Sequence, residues 1–239
     1  MNKIKFKNGM CYNTDCMKLM KEMKDNSIDL TLTDIPYDGV NRKSNGLRNL
    51  DKGKADVLTF NLRSFLDEVY RVTKGTIIIF CGQNQLSEIF NYFDGFAKKN
   101  KGTVRQLVWA KTNPSPMNGK YIYLSGVENA IWFKKKGATF NAHCKSNVFS
   151  FPCGRGKLHP TEKNHELIKD LILDNSNEGE VLFDPCAGGG THLYLGSLLN
   201  RKVVGSELNE EYFEIIKNRF KGGKLNGYNR WSKNMPVDV

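Results

Sequence analysis

Short apolar segments rich in β-branched residues alternate with segments of helical periodicity along most of this chain, and this alternation restricts the fold more than any other feature. Strands are predicted at 28–33, 76–81, 104–109, 128–134, 180–183 and 202–206. Helices are predicted at 14–23, 62–72, 83–93, 162–173, 191–199 and 210–220. A helix between two strands returns the chain to the same edge of a sheet, so the strands run parallel. The sequence therefore predicts an α/β fold with a mostly parallel sheet and helices on both faces.

Irregular segments interrupt this alternation at a few places. The length of 239 residues fits a single domain over 1–239. Residues 38–56 are polar, basic and glycine-containing, which predicts a long mobile loop. Residues 112–126 and 137–160 contain several prolines and glycines and are also predicted to be irregular. Ligands of a parallel α/β sheet bind beyond the carboxyl ends of its strands, so functional motifs are expected there.

Positive charge is concentrated in three stretches of the chain. The net charge is +4 over 41–54, +7 over 111–158 and +5 over 217–239, against +11 for the whole sequence. The remaining residues are therefore mildly acidic. Lysine and arginine displace counterions from phosphates, so this segregation favours a nucleic acid partner. A membrane surface is disfavoured, because no basic amphipathic helix with a large apolar face accompanies the charge.

Neither membrane insertion nor secretion is predicted. No apolar run approaches the roughly 18 residues that span a bilayer, and the lysine-rich N-terminus has no apolar core after it. Without a secretion signal, the six cysteines are expected to be reduced thiols in the cytoplasm. No metal is predicted, because zinc-ligand spacing is absent from the segment that contains His143, Cys144, Cys153 and His159.

A glycine-rich segment, Asp184-Pro-Cys-Ala-Gly-Gly-Gly190, joins a predicted strand to a predicted helix. Glycines at such a junction let the backbone approach a bulky ligand. Glu207 ends the next predicted strand, where a carboxylate can accept hydrogen bonds from two ribose hydroxyls. The third glycine of the dinucleotide fingerprint is missing, and Asp184 would repel a pyrophosphate. The pattern therefore favours an adenosine cofactor with a cationic amino-acid tail, such as S-adenosylmethionine, over NAD.

A second motif, Asp34-Ile-Pro-Tyr37, follows another buried strand. The exocyclic amine of a nucleobase is a poor nucleophile, because its lone pair is delocalised into the ring. Hydrogen bonds to Asp34 and to a main-chain carbonyl fixed by Pro36 would favour a pyramidal nitrogen. Tyr37 offers a face on which a flipped base can stack. Asp and Pro also occur in ordinary strand-end turns, so this motif alone leaves both interpretations open.

Together, the two motifs resemble those of the beta class of S-adenosylmethionine-dependent DNA amino-methyltransferases, in which the catalytic motif precedes the cofactor motif. The D-P-P-Y-type motif corresponds to Asp34–Tyr37, with Ile35 in place of the first proline. The D-P-F-x-G-x-G motif corresponds to 184–190, with Cys186 for Phe and Gly189 for Ser. Three further segments match the family, namely Asp15-Cys16, Trp109–Pro114 and His159–Lys163.

This resemblance implies a Rossmann-like seven-stranded methyltransferase sheet, mostly parallel with one antiparallel strand, in circularly permuted motif order. It implies a target-recognition insert at 112–158, which agrees with the charge found there. The implied catalytic residues are Asp34, Pro36 and Tyr37. The implied cofactor-binding residues are Asp15, Cys16, Asp34, Thr161, Glu162, Lys163, Asp184, Ala187, Gly188, Gly190, Thr191 and Glu207. The residues expected to contact DNA are Arg42, Lys43, Arg48, Lys111, Lys120, Lys145, Arg155 and Lys157.

The function implied is methylation of the N6 amine of adenine in double-stranded DNA after base flipping. Methylation of cytosine N4 is the nearest alternative, although that group more often has serine where Asp34 stands. An RNA or protein methyltransferase and a non-catalytic DNA-binding module are further alternatives. The basic stretches argue against a protein substrate, and the intact Tyr37, Gly188 and Glu207 argue against a module without catalysis. The resemblance leaves open a homodimer and a cognate restriction enzyme, in a bacterial or phage-infected cytoplasm.

Overall fold

A computed structural model describes residues 2–37, 58–116, 119–154 and 162–221. The predicted loop at 38–56 lies outside these ranges, as does nearly all of the basic C-terminal stretch. Six predicted site residues also lie outside them, namely Arg42, Lys43, Arg48, Arg155, Lys157 and Thr161.

Nine strands and six helices make up the described part of the chain. The strands are β1 (Asn2–Phe6), β2 (Gly9–Asn13), β3 (Ile28–Asp34), β4 (Thr73–Cys81), β5 (Gly102–Lys111), β6 (Val127–Lys135), β7 (Val148–Phe151), β8 (Val181–Asp184) and β9 (Lys202–Glu207). The helices are α1 (Cys16–Glu22), α2 (Leu62–Val72), α3 (Gln83–Ala97), α4 (His165–Asn175), α5 (Thr191–Leu198) and α6 (Glu210–Lys221). None of these six helices is long and apolar enough to cross a membrane.

All nine strands form one sheet in the order β1-β2-β9-β8-β3-β4-β6-β5-β7. Seven neighbouring strands of this order, β2-β9-β8-β3-β4-β6-β5, confirm the predicted mostly parallel sheet. Among these seven, β6 runs antiparallel to both of its neighbours. The sheet differs from the seven-stranded prediction at its edges. There β1 pairs antiparallel with β2, and β7 pairs parallel with β5. The prediction that 137–160 is entirely irregular is wrong at β7.

The predicted placement of helices on both faces is confirmed by two separate hydrophobic clusters. One face of the sheet packs against α4, α5 and α6, through residues such as Leu32, Ile78 and Leu193. The other face packs against α1, α2 and α3, through residues such as Ile79 and Phe93. Successive side chains of a strand point to opposite faces, so a strand buried on both sides is apolar throughout. This is why the run at 76–81 was recognisable as a central strand.

The topology brings the ends of several strands to one edge of the sheet. The parallel strands β3, β8 and β9 end there with Asp34, Asp184 and Glu207. The reversed strand β6 begins at the same edge, so its second residue, Glu128, reaches it as well. The predicted target-recognition insert, 112–158, therefore contains β6, a strand that lies inside the sheet between β4 and β5.

Candidate active site

A cleft of about 310 Å³ opens at the carboxyl edge of the sheet. Of the predicted cofactor residues, those that line it are Asp15, Cys16, Asp34, Glu162, Lys163, Ala187, Gly188, Thr191 and Glu207. Asp184 and Gly190 are not among the lining residues. Of the predicted catalytic residues, Asp34 and Pro36 line the cleft. Tyr37 follows Pro36 in the chain and is not among the lining residues.

The glycine-rich loop is held against the end of β9. The backbone N–H of Gly188 donates to Glu207 Oε2 at 2.7 Å, and the N–H of Asn209 donates to Oε1 at 2.8 Å. Gly190 has a φ of 77° and precedes α5, and a Cβ there would lie 2.9 Å from Ile216 Cγ1. Gly190 therefore allows α5 to pack against α6, whereas Gly188 presents its backbone to the cleft.

Glu207 is the acidic residue that the sequence pairs with the glycine-rich loop. Burial raises the pKa of its carboxyl group to about 7, although the N–H groups of Asn209 and Gly188 stabilise the ionised form. A carboxylate has about four lone-pair positions, so Glu207 can accept further hydrogen bonds from a ligand. Its placement in the cleft fits the predicted interaction with ribose hydroxyls.

The carboxylate of Asp184, a predicted cofactor contact, is occupied by protein groups. Its Oδ1 atom accepts hydrogen bonds from Thr33 Oγ1 at 2.8 Å and from Cys186 N at 3.1 Å. Its Oδ2 atom is 2.8 Å from His192 Nδ1, which must carry the proton because an ionised carboxylate only accepts. Asp184 is 1% exposed, and His192 lines the cleft instead. The position of His192, directly after Thr191, was the only sequence signal for it.

Asp15 reaches the cleft because it caps a helix. Its side chain accepts hydrogen bonds from the N–H groups of Met17 and Lys18, which satisfies two otherwise unpaired donors at the start of α1. Cys16 follows as the first residue of the helix and is buried. The predicted pair is therefore held at the rim of the cleft by the helix N-terminus.

Glu162 lines the cleft but serves mainly to join three helices. Its Oε1 atom accepts hydrogen bonds from Thr191 Oγ1 at 2.6 Å and Arg219 Nη2 at 2.9 Å, and lies 3.1 Å from His165 Nε2. These partners belong to the starts of α5 and α4 and to α6. Helix α4 begins at His165, after the cap Asn164, so the predicted start at 162 was early.

The two carboxylate oxygens of Asp34 have different environments. Oδ2 lies 2.5 Å from the ammonium of Lys163. Oδ1 is buried and has no hydrogen-bond partner among the described residues. Pro36 is tied to α3, because its carbonyl accepts a hydrogen bond from Gln85 Nε2 at 2.9 Å. The site therefore presents a fixed backbone turn and a buried acceptor atom that still requires a donor.

A network of charges extends from Asp34 to a residue that the sequence interpretation missed. Lys163 Nζ also lies 3.1 Å from Glu128 Oε2, and Lys111 Nζ lies 2.7 Å from Glu128 Oε1. The hydroxyl of Tyr37 is 3.5 Å from Glu128 Oε2. The only signal for Glu128 was its position as the single acidic residue in the basic stretch 111–158.

Burial and charge act in opposite directions on the pKa values of this network. Burial raises the pKa of Asp34, Lys163 lowers it, and Glu128 raises it further. Burial also acts to raise the pKa of Glu128, but Lys163 and Lys111 bring it down to about 2. Burial opposes the charged form of Lys163, yet Asp34 and Glu128 hold its pKa well above the usual range. The two ammonium groups therefore keep the Glu128 carboxylate ionised, whereas burial leaves the pKa of Asp34 above its ordinary value.

The predicted DNA-binding lysines occupy different environments. Lys111 is 12% exposed and pairs with Glu128, so it belongs to the charge network that extends from Asp34. Lys120 is exposed, with its ammonium 5.7 Å from the ring centroid of Tyr121. Lys145 pairs with Asp170 at 3.1 Å and with Asp174 at 2.8 Å, both on α4. Within the described ranges, no group of three or more histidine, cysteine or acidic side chains is arranged to hold a metal ion.

Comparison with known proteins adds evidence that is independent of this geometry. A family model described as DNA methylase matches residues 28–218. The type II methyltransferase M.HpaI of Haemophilus parainfluenzae is 30% identical over 255 residues, which cover 93% of this chain and 77% of the relative.

Solved structures show the same relationship. The crystal structure of the M1.HpyAVI–SAM complex superposes with a TM-score of 0.66 at 25% identity, covering 88% of this chain and 98% of that one. PvuII DNA methyltransferase, described as cytosine-N4-specific, superposes with a TM-score of 0.70 at 17% identity, covering 90% and 87%. At that identity the second likeness shows a shared fold alone.

Proposed function

Since this chain belongs to the DNA methylase family, which the match over residues 28–218 establishes, we propose that it methylates the N6 amine of adenine at specific sites in double-stranded DNA. The methyl donor is S-adenosylmethionine. One observation carries the assignment of the amine site. The buried Oδ1 atom of Asp34 lacks a donor among the described residues and lies at the end of a strand that borders the cleft.

The residues of the cleft fit the cofactor. S-adenosylmethionine supplies an activated methyl group on a cationic sulfur atom. Glu207 would accept hydrogen bonds from the ribose hydroxyls, and the Gly188 backbone leaves space beside them. Carboxylates at the cleft, those of Glu207 and Asp34 among them, suit the positive charge of this cofactor.

The catalytic motif would act by holding the target amine. Asp34 Oδ1 accepts one hydrogen bond from the amine, and the Ile35 carbonyl is proposed as the second acceptor because Gln85 occupies the Pro36 carbonyl. These two bonds favour a pyramidal nitrogen with its lone pair directed away from the ring. Tyr37 offers a face for the base, which leaves the duplex at a cost of a few kcal/mol. Positioning and electrostatics then account for most of the rate enhancement.

A direct product assay tests this proposal. The enzyme is incubated with unmethylated genomic DNA and methyl-labelled S-adenosylmethionine, and the DNA is digested to nucleosides for mass spectrometry. We expect N6-methyl-2′-deoxyadenosine as the labelled product. N4-methyl-2′-deoxycytidine would support the alternative within the family, and label in protein or RNA alone would contradict the proposal. We place this activity in the bacterial cytoplasm, where the DNA substrate is found.

The affinity for the cofactor should depend on pH through Glu207. Its pKa in the free protein is about 7, and only the ionised carboxylate accepts hydrogen bonds with both oxygens. The dissociation constant for S-adenosylmethionine should therefore fall about tenfold between about pH 6 and pH 8. Glu207→Gln should weaken binding about 10- to 100-fold at the higher pH and abolish this dependence. Isothermal titration calorimetry measures both, and an unchanged pH dependence in the variant would refute the assignment.

The basic segments are proposed to divide DNA binding between them. Residues 41–54 follow Tyr37 directly and are expected to contact phosphates, whereas the exposed parts of 112–158 are expected to read the sequence. Neutralising Arg42 and Lys43 should weaken binding to all DNA equally and reduce the salt dependence by about 1 per lost phosphate contact. Fluorescence anisotropy over a salt series measures this slope. A change in site preference with an unchanged slope would contradict this division.

A further inference from the structure

We propose that Glu128 is a positioning residue for methyl transfer, which acts through Lys163 on Asp34 and through a hydrogen bond on Tyr37. This inference rests on the proposed function, because it concerns the residues that hold Asp34 and Tyr37 in position for methyl transfer. It also assigns Lys163, which the sequence analysis predicted to bind the cofactor, to the positioning of Asp34. The role of Glu128 follows from its contacts, from the charges around it and from its place in the sheet.

The contacts of Glu128 reach both functional ends of the Asp34–Tyr37 motif. Its Oε2 atom is 3.1 Å from Lys163 Nζ, which in turn is 2.5 Å from Asp34 Oδ2. The same oxygen is 3.5 Å from the hydroxyl of Tyr37. Lys163 Nζ also lies 5.2 Å from the ring centroid of Tyr37. One carboxylate is therefore linked to the acceptor of the amine and to the face on which the base would stack.

The charges in this cluster alternate and leave no net charge. Asp34, Lys163, Glu128 and Lys111 follow one another with opposite signs. Lys163 is 3% exposed, so an unbalanced charge at its position would be costly. Because Asp34 uses Oδ2 for Lys163, its Oδ1 atom stays directed away from that ion pair. Loss of Glu128 would leave Lys163 with a single partner and a wider range of orientations.

The reversed strand explains why an acidic residue can reach this place. Strands β3 and β4 end at the edge where the cleft opens, but β6 begins there. Glu128 pairs in register with Trp109, near the end of β5, where Lys111 lies. The antiparallel strand therefore contributes its first residues to the site. Glu128 and Asp34 are far apart in the sequence, and only the folding of the sheet brings them together.

Space for the tyrosine ring is provided by a glycine on the adjacent strand end. A Cβ atom on Gly82 would lie 3.3 Å from Tyr37 Cβ and 3.3 Å from Gln85 Oε1. The Gln85 side chain holds the Pro36 carbonyl and the Gly82 N–H, each at 2.9 Å. The backbone of the motif is thus fixed by α3, while Glu128 and Lys163 determine the positions of its side chains.

The first test replaces Glu128 with its isosteric amide. Glu128→Gln should lower kcat about 10- to 100-fold through misalignment of Asp34 and Tyr37, with the dissociation constant for S-adenosylmethionine unchanged within about threefold. The matched control is Glu88→Gln on the exposed face of α3, which should leave both values unchanged. A wild-type kcat in Glu128→Gln, or a loss confined to cofactor binding, would overturn the proposal.

The second test uses the acid limb of the kcat–pH profile, which reports the ionisation of Asp34. Glu128→Gln removes a negative charge and should move this limb to lower pH. Lys163→Met removes the positive charge and should move this limb to higher pH. Lys163→Arg keeps the charge, so its limb should lie near that of the wild type. Merely structural damage would not produce opposite shifts. The charged and titratable groups that face Asp34 are Lys163, Glu128, His192, Tyr37 and Cys81.

The outcomes separate this inference from the proposed function. If the wild-type enzyme methylates no DNA, the proposed function fails. If the wild type is active but both variants shift the acid limb in the same direction, or neither shifts it, only the role of Glu128 and Lys163 fails. Thermal unfolding of each variant identifies a protein that has not folded, and Lys163→Arg then carries the test at position 163.

Discussion

Replacing Asp34 with alanine is expected to lower kcat by at least about 100-fold while the dissociation constant for S-adenosylmethionine changes by less than about threefold. The alanine variant lacks the buried Oδ1 atom that would accept a hydrogen bond from the target amine. Glu207 and Gly188, which are proposed to contact the cofactor, lie on β9 and the glycine-rich loop, so we expect their positions to be unaffected. Single-turnover kinetics and calorimetry measure the two quantities separately.

The conservative change Asp34→Asn distinguishes geometry from charge. An amide retains an oxygen acceptor but cannot balance the ammonium of Lys163, which is held between Asp34 and Glu128. Its kcat should therefore lie between those of the wild type and the alanine variant. The control is Asp94→Asn, which removes a half-exposed carboxylate of α3 that pairs with the exposed Lys98 and should be silent. Near-normal methylation by Asp34→Ala would disprove the catalytic assignment.

The parts of the site that sequence predicted well are encoded in short continuous segments. The strand before Asp34 and the loop between β8 and α5 each combine a buried apolar run with a turn. Such segments form similar structures in many contexts, because their glycines and prolines restrict the backbone locally. The prediction of a cofactor cleft at the carboxyl edge follows from the same parallel topology.

The parts that sequence could not predict depend on contacts between distant elements. Asp184 ends its strand as expected, but Thr33 of β3 and His192 of α5 occupy its carboxylate. Glu128 enters the site only because β6 is reversed and inserted between β4 and β5. The edge strand Val148–Phe151 forms by pairing with β5, and this contact between segments far apart in the chain is not visible in the sequence.

The ion pair between Glu162 and Arg219 is expected to have the largest effect on stability. The two side chains are 1% and 2% exposed, and the Nε atom of Arg219 has no partner among the described residues. Glu162→Gln would leave the guanidinium buried without its counter-charge. Breaking a buried pair in this way costs about 3–5 kcal/mol of unfolding free energy, which lowers Tm by roughly 10 °C in a chain of this size.

The matched control lies on the same helix as Arg219. Glu214 pairs with Lys217 on α6 at 2.7 Å, and its side chain is 47% exposed. Glu214→Gln should therefore change the unfolding free energy by less than about 0.5 kcal/mol. A double-mutant cycle with Glu162→Leu and Arg219→Met should show a coupling of at least about 1 kcal/mol, because removing both charges leaves neither uncompensated.

The effect of pH gives a further, independent check on Glu162. Burial acts to raise its pKa, but hydrogen bonds from His165 and Thr191 and the charge of Arg219 hold it well below the ordinary value of 4.5. A carboxyl group with a lowered pKa stabilises the fold above its unfolded-state value, and this contribution is lost as the pH falls below it. The difference in unfolding free energy between wild type and Glu162→Gln should therefore be constant near neutrality and shrink below about pH 4.5. A variant of normal stability that bound S-adenosylmethionine weakly would instead show that Glu162 acts mainly on the cofactor.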